Sequence, residues 1–119
     1  MELADAERFA EQWAADWNSH DIDRIMRHYR DDVVFVTPAA ERIVGTASVH
    51  GKAALRSYWT KGLDQIPDLH FELRGVQFGV DTVVITYLNQ RGQTVSEVLT
   101  FEADVVVFGR AAYGPPADR

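Results

Sequence analysis

The segment with the most chemical potential runs from Thr94 to Glu102. As an extended chain it places Val95, Glu97, Leu99 and Phe101 on one side and Thr94, Ser96, Val98, Thr100 and Glu102 on the other. Glu97 thus shares an apolar face. Desolvation there favours its neutral form, which suits a group that gives or takes a proton near neutral pH. The alternative is a structural carboxylate that holds an arginine or pins a helix end. Thr37 closes an earlier strand behind Val33 and Phe35, just before Pro38. Its hydroxyl can orient a ligand or cap a turn, but it is a poor base. Arg110 falls in the same alternating row as Val106, Phe108 and Ala112, where it would serve as a counter-charge to Glu97 or snorkel to water.

Aromatic residues surround these polar groups. Trp13, Trp17, Tyr29, Tyr58 and Trp59 sit at core-facing positions of helical patterns, with Phe71 on a later strand. Together with Leu99 and Phe101 they are candidates to line an apolar cavity, or else simply to fill the core. Each buried indole or phenol needs a partner for its N–H or O–H. No metal centre is expected, because His20, His28, His50 and His70 show no ligand spacing, and no serine sits at a strand-to-helix elbow.

Helices and strands must hold these groups. Ala6, Phe9, Ala10, Trp13, Ala14 and Trp17 define a first helix, with Asp5, Glu7, Glu11 and Asp16 pointing away from its apolar side. A short second helix buries Ile22, Ile25, Met26 and Tyr29, and a strand follows from Val33 to Thr37. Residues 39–50 read as a loop with at most one short strand. The third helix follows Gly51, carries Leu55, Tyr58 and Trp59, and ends at Pro67. Thereafter the periodicity is that of strands, with a bulge expected at Gly75 and turns at Gly79–Asp81 and Arg91-Gly92. Helices followed by antiparallel strands predict an α+β domain, a curved sheet with three helices enclosing a pocket. A single domain over residues 1–114 and a flexible tail over 115–119 are expected.

Composition narrows the partners. The chain has 119 residues, and 12 basic against 18 acidic side chains give a net charge of −6. Nucleic acid and anionic membrane, which select basic surfaces, are not expected partners. The absence of cysteine removes disulfides, thiolate metal sites and a cysteine nucleophile. An N-terminus without a signal-like apolar stretch points to the cytoplasm. Of the acids, only Glu97 is expected to face inward.

The strings Trp17-Asn18-Ser19-His20-Asp21-Ile22, Tyr29-Arg30-Asp31-Asp32-Val33 to Thr37-Pro38, Val49-His50-Gly51-Lys52-Ala53-Ala54-Leu55 to Tyr58-Trp59, and Pro67-Asp68-Leu69-His70-Phe71-Glu72-Leu73 resemble the nuclear transport factor 2-like superfamily. The resemblance spans residues 5 to 114 and is nearest to SnoaL-like proteins and steroid Δ-isomerases. It implies a cone-shaped fold that hosts both enzymes and binders. Carried over residue by residue, it puts Thr37 where the isomerases keep their general base and Trp13 where they keep a first-helix tyrosine. Their supporting tyrosines fall on Tyr29 and Trp59, and their second acid falls on Glu97. It therefore implies a cofactor-independent isomerase, cyclase or hydrolase acting on an apolar, oxygenated small molecule. Glu97 would be its acid/base or carbonyl donor, with Thr37 and Arg110 orienting the substrate. The alternative is a non-catalytic ligand-binding or dimeric interaction module. A homodimer would form through an outer sheet face expected to present Val83, Ile85, Tyr87, Ser96, Val98 and Thr100.

Overall fold

The computed structural model describes residues 1–115. Helix α1 (Leu3–Ser19) starts where the Glu2 amide donates to Asp5 Oδ2 at 3.0 Å, and it stops at His20, whose φ of 60° is left-handed. Helix α2 (Ile22–Met26) is capped by Asp21, whose side chain accepts from the amides of Asp23 and Arg24. It ends before Tyr29, which opens strand β1 (Tyr29–Val36) and is not the last helical residue that its spacing predicts.

The stretch expected to be a loop with at most one short strand contains that strand, β2 (Ser48–His50), but also helix α3 (Pro38–Val44), so the described residues hold four helices rather than three. Thr37 initiates α3: its hydroxyl accepts from the Ala39 amide at 3.3 Å, and Pro38 occupies the first turn, where a missing N–H is harmless. Helix α4 (Lys52–Gln65) buries Leu55, Tyr58 and Trp59. Strands β3 (Glu72–Gly79), β4 (Thr82–Leu88), β5 (Thr94–Glu102) and β6 (Val105–Tyr113) complete an α+β fold. The curved six-stranded sheet has the order β2-β1-β6-β5-β4-β3 and is antiparallel except between β1 and β6.

Two details of register decide which side chains face the helices. On β3 the pairing shifts between Leu73 and Gly75, at the bulge the glycine predicts. On β6 a second shift occurs. Phe101 pairs with Val106 but Thr100 pairs with Phe108, which leaves Val107 as an extra residue and reverses the alternation beyond it. Gly109 then faces inward, where an added Cβ would come within 2.4 Å of the Phe35 ring. Ala111 and Tyr113 follow on the inner side, and Arg110 turns outward.

The core lies between this inner face and the helices. Val83, Ile85 and Tyr87 are buried in it, so the outer face of β4 consists of Thr82, Val84, Thr86 and Leu88. The expected outer row was therefore wrong for β4 and right for Ser96, Val98 and Thr100 on β5. Strand β4 is apolar at both alternations, which leaves its facing open in sequence. No helix among the described residues is long and apolar enough to cross a membrane. Of the expected tail, 115–119, all but Pro115 lies outside the described residues.

Candidate functional site

The inner face of β5 brings Glu97 to the wall of a cavity of about 380 Å³. Its neighbours across the ladder are Ile85 on β4 and Ala111 on β6. Tyr87 lies one diagonal step away, opposite Val95, and its hydroxyl donates to Glu97 Oε2 at 2.7 Å. Oε1 takes no hydrogen bond, and no cation pairs with the carboxylate, among the described residues. Glu97 is only 6 % exposed. Burial pushes its pKa from 4.5 up to about 7, against the opposing hydrogen bond from Tyr87. The same burial, together with the Glu97 charge, raises Tyr87 well above the usual phenol value.

A second polar group meets the cavity at the end of α3. Thr37, Tyr58, Tyr113 and Arg42 all line it. Burial raises both phenols above the ordinary value, and the neighbouring Thr37 hydroxyl and Arg42 charge oppose that shift. Thr37 thus serves the backbone and the cavity together, because capping uses one lone pair of a hydroxyl that still has a proton to donate.

Of the aromatics singled out in the sequence, Trp17, Tyr58, Trp59 and Phe71 line the cavity. Trp13, Tyr29, Leu99 and Phe101 do not; they are buried behind it. Trp13 donates its indole N–H to the Tyr29 hydroxyl at 3.0 Å, so that pair is satisfied internally. Trp17 differs. Its Nε1 is fully buried and has no hydrogen-bond partner among the described residues. Such a donor is costly to leave unmade.

Arg110 is the clearest correction. It is exposed on the outer face, with its guanidinium 5.2 Å from the centre of the Phe108 ring, and it does not meet Glu97. The extra residue at Val107 is the cause. Arg42, Tyr87 and Tyr113 were not singled out as site residues. Arg42 fell in the supposed loop, Tyr87 was assigned to the wrong face, and Tyr113 depends on the same bulge that removes Arg110. The glycine at position 109 was the available signal, since it marks close approach of backbone to a core ring.

The SnoaL-like domain family matches residues 10–114. The chain belongs to that family. A SnoaL-like protein of unknown function from Burkholderia thailandensis shares 37 % identity and superimposes with a TM-score of 0.90, covering 97 % of this chain and 99 % of that one. TerC, crystallised with polyporic acid, aligns at 14 % identity and a TM-score of 0.76 over 92 % of this chain and 91 % of its own. A hypothetical protein of ketosteroid isomerase-like fold from Catenulispora acidiphila, in complex with trimethylamine, gives 14 % and 0.73 over 87 % and 83 %. No curated protein matches the chain. At these low identities the last two likenesses speak for the fold alone. The chemistry of this SnoaL-like domain must be argued from its own cavity.

Proposed function

We propose that this SnoaL-like domain is a cofactor-independent enzyme that moves a proton on an apolar, oxygenated small molecule, with Glu97 as the acid/base group. One observation carries the reading: a buried carboxyl on a cavity wall, held by a single phenol and, among the described residues, neutralised by no cation. Burial without a counter-charge sets its titration near neutrality, where protonated and ionised forms coexist and proton transfer in either direction is efficient. Tyr87 fixes the carboxyl's orientation while leaving Oε1 open to the cavity. Thr37 and Tyr58 offer hydrogen bonds to substrate oxygens, and Trp17, Trp59, Ile66, Leu69 and Phe71 supply apolar wall. TerC's co-crystal with polyporic acid supports a small oxygenated ligand for a cavity on this scaffold.

The test uses β-tetralone, an apolar ketone with acidic α-protons, in heavy water. The native protein is expected to accelerate α-deuteration, and Glu97→Gln to lose about 10²- to 10⁴-fold of that acceleration while keeping its fold. The native rate should climb with pH and level off above the Glu97 value of about 7. No exchange above buffer would leave the cavity a binding site without proton chemistry, and an equal accelerated rate in Glu97→Gln would remove Glu97 as the acid/base group.

A further inference from the structure

Arg8, Arg24, Arg27, Arg30, Arg56 and Arg74 each pair with an aspartate or glutamate away from the cavity. Among the described residues Arg42, Arg91 and the outward Arg110 pair with no acid, and of these Arg42 and Arg91 line the cavity. Glu97 is the only acidic residue on that wall among the described residues. A protein of net charge −6 therefore carries, at one concave place, two unneutralised guanidinium groups facing at most one negative charge. Low-dielectric walls concentrate such a field on whatever enters. Arg42 is also not alone. Tyr58, Tyr113 and Thr37 line the same cavity, the Arg42 charge acts on both phenols, and these are groups that hydrogen-bond an anionic oxygen.

We infer that the cavity selects an organic monoanion, a small and mostly apolar molecule whose carboxylate or ionised enol oxygen lies against Arg42 and the Tyr58 and Tyr113 hydroxyls. Arg91, exposed at the rim on the β4–β5 loop, attracts the anion toward the opening. The apolar body then rests on Trp59, Ile66 and Leu69, within reach of Glu97. This deepens the proposed function by naming the substrate's charge class. It rests on the reading of the cavity as a small-molecule site, but not on Glu97 performing chemistry.

Two matched pairs of probes test it by calorimetry: naphthoate against its neutral amide, and a hydroxynaphthoquinone, ionised at neutral pH, against its methyl ether. The native protein should bind at least one anion about tenfold or more tightly than the neutral partner, and added salt should weaken that preference. Arg42→Gln should abolish the preference while shifting the neutral partner by less than about twofold, and Arg42→Lys should restore part of it. Arg42 is exposed, so both variants should retain the native melting profile. Which anion prevails decides between carboxylate and enol. Equal affinity for anion and neutral partner, or a preference that survives Arg42→Gln, overturns the inference. Failure of every probe to bind overturns the small-molecule reading with it. Anion preference without α-deuteration overturns the enzyme reading alone, and repeating the titrations in Glu97→Gln keeps the two apart.

Discussion

Asp16 and Glu97 are both buried carboxyls, 1 % and 6 % exposed, yet the fold treats them in opposite ways. Asp16, on α1, is surrounded by donors. Gln12 Nε2 lies at 2.9 Å, His28 Nε2 at 2.6 Å, and Arg27 Nη2 at 3.3 Å from each oxygen. Burial alone would raise its pKa, but the hydrogen bonds from His28 and Gln12 and the adjacent positive charge hold it below the usual carboxylate value of 3.8. Glu97 has burial without that compensation and sits near 7. One acid is fixed in a single charge state and supports structure. The other is left free to change state and faces a cavity. Burial by itself does not make a carboxyl functional; the number and charge of its donors decide that.

The contrast has consequences for stability. The largest is expected for Asp16→Ala, which strips the acceptor from Arg27 and His28 and should cost about 3 kcal/mol in urea denaturation near neutral pH. A loss under about 1 kcal/mol would mean that the cluster is replaceable by water and the contrast is false. For Asp16 the folded pKa lies below the ordinary value, so its stabilisation is present above 3.8 and fades as pH falls through the folded value.

Glu97 must show the reverse sign. Its folded pKa of about 7 exceeds the ordinary 4.5, so the native state holds the proton more tightly, and stability declines as pH rises from 4.5 through about 7. Glu97→Gln removes that penalty and keeps an acceptor for Tyr87. It should match the native protein at about pH 4 and exceed it by up to about 3 kcal/mol at about pH 9. Equal stability at both pH values would place Glu97 with Asp16 as a compensated acid. The smallest effect sharpens the comparison further. Tyr87→Phe deletes the one bond that lowers the Glu97 pKa, so the carboxyl should titrate about one unit higher by carbon-detected NMR. A downward shift would reveal a donor that replaces Tyr87.

The legible part of this protein was local. Glu97's facing followed from strict alternation through β5, and the bulge on β3 followed from Gly75. The resemblance in the strings around Trp17, Pro38, Gly51 and Trp59 carried the fold class. Asp16 was missed because it flanks the apolar stripe of α1, and only the packing of the α2–β1 connection against that flank supplies Arg27 and His28. Helix α3 was missed because seven residues hold too little periodicity to separate from a loop.

What the sequence determined by itself was the α+β order of elements, the acidic balance of the surface and the inward aim of one glutamate, since these depend on residue type and spacing of two or three to four positions. Only the tertiary structure decided that glutamate's company. The extra residue at Val107 sends Arg110 out and Tyr113 in, the β4–β5 register puts Tyr87 within 2.7 Å, and α3 delivers Arg42 to the same cavity. Register and bulges are set by long-range pairing, and a shift of one residue reverses every side chain beyond it.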